Sequence, residues 1–123
     1  MSWTLYFVVL ALLLGFIVMR RAGQVPIKKA KELIRQGGMI IDVRTSTEYM
    51  TKHLSQSVNV PVDEIDMVIP GRVKDRNRII LLHCQSGMRS KTAKEKLERQ
   101  GYTQVYNLGS YERAFKIVTG RSL

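Results

Sequence analysis

Cysteine is the scarcest chemistry-bearing residue in this sequence, with a single copy at Cys84. One cysteine excludes an internal disulfide, which fits a reducing compartment. Acidic side chains are also few: ten Asp and Glu face twenty Lys and Arg, a formal charge of +10. Such an excess suits nucleic acid, anionic lipid or an anionic substrate. Nucleic-acid binding calls for basic residues interleaved with aromatics, or a helix-turn-helix or zinc pattern, and none is visible. Nucleic acid is therefore not an expected partner. Internal repeats and low-complexity tracts are absent too, and 123 residues hold one domain of ordinary size, not two.

Charge is missing altogether from residues 2 to 19. The run "WTLYFVVLALLLGFIVM" at 3 to 19 lies at the short end of the range for a spanning helix. Trp3 and Tyr6 stand at one end, where aromatic rings prefer the interface, and Arg20 and Arg21 close the other. A cleavable signal peptide would carry its positive charge before the apolar run and a small-residue site after it. Here the charge follows, and no A-x-A-like site is present. The expectation is a retained transmembrane anchor with its basic flank over 1–21 and one domain over 22–123. Arg20, Arg21, Lys28, Lys29 and Lys31 cluster after the span, which places the domain in the cytoplasm and lets the cluster rest on anionic headgroups. The location expected is single-pass in a bacterial inner membrane.

The pattern beyond the anchor alternates. "AGQV" at 22 to 25 reads as a short, weakly structured linker. Pro26 suits a first helical position, with Ile27, Ala30, Leu33 and Ile34 on one side and Gly37-Gly38 as the stop. Strands are expected at "MIIDV" (39–43), "SVNVP" (57–61), "RIILLH" (78–83) and "QVYNL" (104–108), the third the most apolar and so central. Between them, "TSTEYMTKHL" looks like a short helix capped by Thr45 or Ser46, with Glu48 in its first turn. "VDEIDMVIP" at 62 to 70 offers one or two helical turns ended by Pro70-Gly71. "SKTAKEKLERQ", stopping at Gly101, and "SYERAFKIVTG" complete the helices. With no hairpin signal between strands, the class is α/β: a mostly parallel central sheet flanked by helices on both faces.

Binding sites in such sheets form beyond the carboxyl ends of the strands, and Cys84 falls there. "HCQSGMRS" at 83 to 90 leads straight into a helix N-terminus, whose unpaired N–H groups and dipole stabilise a thiolate. Gly87 lets the loop curl into an anion nest, and Arg89 adds a guanidinium at the rim. A lone cysteine is ordinarily a small buried hydrophobe, but this placement favours a nucleophile.

The segment "CQSGMRS" resembles the active-site loop of rhodanese-like sulfurtransferases, C-x-x-G-x-R-[ST]. "IIDVRTSTEYMTKHLSQSVNVP" and "VYNLGSYERAF" are similar to two further motifs of that family, in order, across about residues 26 to 120. The resemblance implies a rhodanese-like domain in which Cys84 takes a sulfane sulfur from a thiosulfate-like or persulfide donor. The Cys84 persulfide then passes it to a thiophilic acceptor. It implies that the backbone of Gln85, Ser86, Gly87, Met88, Arg89 and Ser90 cradles the outer sulfur and that Arg89 attracts an anionic donor, with no cofactor. The partners implied are a small-molecule or protein sulfur donor and acceptor. The alternative in the same frame is a persulfide carrier or recruitment module at the membrane with little turnover. Related cysteine phosphatases and arsenate reductases use C-x5-R, and the one-residue-shorter spacing from Cys84 to Arg89 suits a single sulfur better than a tetrahedral oxyanion.

Other polar residues have blander roles. Asp42 is expected to be scaffold. Arg44 has two roles open to it: pointing at the cysteine loop to assist anion capture, or a salt bridge with Glu48. His83 should leave its strand on the face opposite Cys84 and so cannot serve as its base. His53 matches a position where the family uses histidine to brace the fold. Cys84 and the two histidines lack the close-spaced pairs of a zinc site, so no metal is expected. "KHLSQSVNVP" lacks the family's glycines, Ser110 stands for the second closing glycine, and Phe115 stands where tryptophan is common.

Overall fold

The structure, a computed structural model, describes residues 2–21 and 23–123. The side chains of Arg20 and Arg21, expected to close the span with positive charge, lie outside the described residues. Helix α1, Ser2–Arg21, is long and apolar enough to cross a membrane, and none of its 2–19 span is buried against the rest of the chain.

Four strands follow: β1 (Met39–Asp42), β2 (Ser57–Asn59), β3 (Ile80–His83) and β4 (Val105–Gly109). They pair in the order β2-β1-β3-β4, all parallel. The expected central position of "RIILLH" holds, since β3 lies between β1 and β4. Every residue of β3 is buried because helices cover both of its faces. On one face, helices α4 (Ile65–Arg72) and α5 (Met88–Arg99) send Ile65, Ile69, Ala93 and Leu97 onto Ile41, Ile80 and Leu82. On the other, α2 (Ile27–Arg35) and α6 (Tyr111–Thr119) send Ala30, Leu33, Tyr111, Ala114 and Ile117 onto Ile40, Leu81 and Leu108. Three- and four-residue spacing of these side chains gives each helix one apolar stripe.

Three local expectations change. The described part of the linker is not weakly structured: Gly23 turns at φ 83°, Gln24 bridges to Asn107, and Val25 is buried with its N–H on the Asn107 carbonyl at 2.9 Å. Pro26 caps α2 rather than opening it. Pro70 lies inside α4, which runs on to Arg72. The proline has no N–H for the Asp66 carbonyl four residues earlier, and the Gln100 side-chain amide donates to that carbonyl instead, at 3.3 Å. Of the two expected caps, Thr45 and Ser46, it is Thr45 that serves: short helix α3 (Ser46–Thr51) carries a full capping box between Thr45 and Glu48.

Candidate active site

The β3–β4 ladder sets up the site before any catalytic side chain is considered. Leu82 pairs with Asn107, but His83 pairs with Gly109, so β4 carries one extra residue at Leu108. This bulge sends the Cys84 N–H onto the Gly109 carbonyl at 3.1 Å and turns the chain out of the sheet at the strand's carboxyl end. Gly87 then caps α5 at φ 96°, a conformation that favours glycine. A side chain there would also meet the Gly109 backbone, with a Cβ 3.3 Å from its Cα.

Cys84 itself is fully buried. The Gly87 N–H donates to its Sγ at 3.0 Å, and the Ser90 hydroxyl approaches at 3.5 Å. Burial alone pushes the thiol up; hydrogen bonds from the Ser90 side chain and from the N–H groups of Ser90, Gly87 and Ser86 outweigh it. The net shift is downward, toward thiolate.

Around this centre the structure sorts the other expected residues. Arg44 is buried and committed to Asp42, with Nε 3.0 Å from both carboxylate oxygens and Nη2 2.7 Å from Oδ2. Asp42 is thus part of the scaffold, as expected. Arg44 does not pair with Glu48, which corrects one of its two expected roles. It does reach the loop, where Nη1 donates to Gln85 Oε1 at 3.4 Å. Glu48 goes instead to Arg89, in a two-pronged pair at 2.7 and 3.0 Å. Hydrogen bonding to Arg89 holds the Glu48 carboxyl down at about 2, against the opposing effect of partial burial. His83 points away from Cys84 toward Asp42 and the Tyr111 ring, while His53 stacks on Tyr49 with centroids 3.8 Å apart.

Residues 27–114 match the family model described as Rhodanese-like domain. The chain belongs to the rhodanese family. Curated relatives of this rhodanese include the thiosulfate sulfurtransferase PspE of Escherichia coli, 38% identical over 56% of this chain and 66% of that protein. Thiosulfate sulfurtransferase 18 of Arabidopsis thaliana is 32% identical over 69% of this chain and 71% of that protein. Among solved structures, a rhodanese with anions from E. coli superposes at TM-score 0.59 with 34% identity, covering 62% of this chain and 89% of that one. The human single-domain sulfurtransferase TSTD1, at 22% identity and TM-score 0.65, shares the fold over 77% of this chain and 96% of its own.

Two residues that support the rhodanese loop were not singled out from the sequence. Asn107, buried on β4, accepts from the Ser90 hydroxyl at 2.7 Å and the Gly109 N–H at 2.8 Å, and donates to the Gly87 carbonyl at 3.2 Å. A polar residue inside an otherwise apolar strand was the available signal. Gln24 lays its side-chain amide against the two glycines: a Cβ on Gly87 or Gly109 would stand 3.1 or 2.9 Å from Nε2. Nothing in "AGQV" announces that. Ser110, a departure from the family pattern, caps α6 by accepting from the Arg113 N–H at 3.1 Å.

Proposed function

We propose that the protein is a membrane-anchored sulfurtransferase working through a persulfide on Cys84. The observation that carries this is the thiol held by loop N–H groups and the Ser90 hydroxyl, with its acidity raised in spite of burial. The Cys84 thiolate attacks the outer sulfur of thiosulfate; an S–S bond forms to Cys84, the donor's S–S bond breaks, and sulfite leaves with the electron pair. A nucleophilic acceptor then takes the outer sulfur and returns Cys84 as thiolate. The backbone from Gln85 to Ser90 cradles that outer sulfur. The relatives named thiosulfate sulfurtransferases, and a related rhodanese solved with anions, support this assignment.

The anchor reading rests on α1 and on its seam with the domain. Three residue steps separate Arg21, the end of α1, from Gln24, which is already bridged to Asn107. So short a seam offers no long extended segment for a signal peptidase, and no small-residue cleavage site precedes it. The C-terminal domain lies on the cytoplasmic side, in keeping with the basic residues after the span.

A second reading, a persulfide relay between protein thiols, is favoured by one observation: the two guanidiniums near the loop already hold carboxylates, Arg44 on Asp42 and Arg89 on Glu48. Steady-state assay of the detergent-solubilised full chain with thiosulfate and cyanide decides. Thiocyanate formation abolished by Cys84→Ser supports the enzyme, and uptake of sulfur from a persulfide donor without turnover supports the relay. Equal rates for both proteins would exclude Cys84 chemistry. Alkaline carbonate washing that frees the protein from membranes would defeat the anchor.

A further inference from the structure

We infer that the rim of the Cys84 loop is itself a lipid-contacting surface: Met88 and Lys91 meet the phospholipid surface beside the anchor, so the cradle opens at the membrane–water boundary. This rests on the anchor reading and adds to it which face of the domain the membrane covers.

The first support is covalent. Three residue steps from Arg21 to Gln24 span at most about 11 Å. Gln24 is bridged to Asn107 through the backbone, and its side-chain amide lies against Gly87 and Gly109, so the anchor is attached at the wall of the cysteine loop. A domain tethered there cannot turn its site freely away from the bilayer.

The second support is the surface itself. Phe16 and Met19 of α1 and Met88 and Lys91 of α5 line one cleft of about 360 Å³. Its three apolar residues are exposed to water, at 60%, 67% and 54%, although Met88 sits inside the active-site loop between Gly87 and Arg89. If residues 2–19 cross the bilayer, Phe16 and Met19 lie at its cytoplasmic edge, and a residue sharing their cleft lies at the same depth. Lipid is the occupant that suits both ends of the cleft. Acyl carbons cover the methionines and the ring, and an anionic headgroup meets the Lys91 ammonium at the cleft.

The natural chain has one tryptophan, Trp3, which makes the test direct. Full-length proteins are reconstituted in phosphatidylcholine–phosphatidylglycerol vesicles whose acyl chains are brominated near the headgroup, a contact quencher of tryptophan. The set comprises the natural protein, Trp3→Phe with Met88→Trp, and Trp3→Phe with Met67→Trp. Met67 is exposed on α4, next to Asp66, which meets Gln100 just past the far end of α5. The twelve residues of α5 put that control about 18 Å from the loop. Tryptophan at 88 is expected to lose about half its emission and tryptophan at 67 almost none. If Trp3 is quenched but positions 88 and 67 behave alike, the proposal is overturned while the anchor stands. If Trp3 is not quenched, the anchor fails and takes the proposal with it. Should Met88→Trp disturb folding, Lys91→Trp carries the same comparison from the next turn of α5.

Discussion

At Cys84 two opposing effects meet. Removal from water disfavours the thiolate, and a fan of hydrogen bonds from Ser86, Gly87 and Ser90 favours it more. Because the chain has no other cysteine, the pH profile of alkylation reports this one group. The rate of iodoacetamide modification is expected to fall, as pH drops, with a midpoint below the ordinary cysteine value of about 8.5. Ser90→Ala removes the nearest hydroxyl and moves the midpoint upward. A natural midpoint at or above the ordinary value would contradict the electrostatic account of the loop. The cysteine, the glycine and the following helix were all legible as a motif. The Ser90 side chain was not, because its place under the sulfur depends on Asn107, seventeen residues away on another strand.

Among the elements, α3 and α5 are joined at the candidate site by the Glu48–Arg89 pair. Glu48 serves two masters: it completes the capping box of α3 and clamps Arg89 in the first turn of α5. Glu48→Gln keeps the cap, since glutamine serves equally at that position, but removes the charge that neutralises the guanidinium. With Arg89 released toward the loop mouth, the KM for thiosulfate is expected to fall by a factor on the order of 2–5 with kcat little changed. A KM that rises would show that the pair holds the loop in shape rather than restraining its charge. The elements themselves were largely readable, because the two inner strands β1 and β3 are mostly apolar and α2, α5 and α6 end at glycines in the left-handed conformation, Gly37, Gly101 and Gly120. Pro70 misled, since its missing N–H is compensated by Gln100 from a neighbouring helix. The Arg44–Glu48 option failed for a related reason: spacing along the chain cannot say that Asp42 will take both prongs first.

For the molecule as a whole, the buried His83 sets a limit on acid stability. Among the described residues its Nε2 has no hydrogen-bond partner, and it lies 3.6 Å from Asp42 Oδ2, beside Arg44. Burial pushes its pKa below the ordinary 6.5, which favours the neutral ring in the folded protein. The unfolded chain binds that proton more readily, and stability therefore falls as pH drops below 6.5. Glu48 enters only later, losing its contribution between 4.5 and about 2. Thermal unfolding of the full chain in detergent should show a Tm declining as pH falls below 6.5, and His83→Phe should flatten that decline whatever it does to the Tm itself. An unchanged slope would place the acid sensitivity elsewhere.

The central claim is that Cys84 carries sulfur. Intact mass of the full-length protein, recorded after thiosulfate and again after cyanide, tests it most directly. The predicted result is a gain of one sulfur, absent in Cys84→Ser, that disappears on cyanide as thiocyanate is released. No mass gain from thiosulfate or from a persulfide donor, or the same gain in Cys84→Ser, would contradict it.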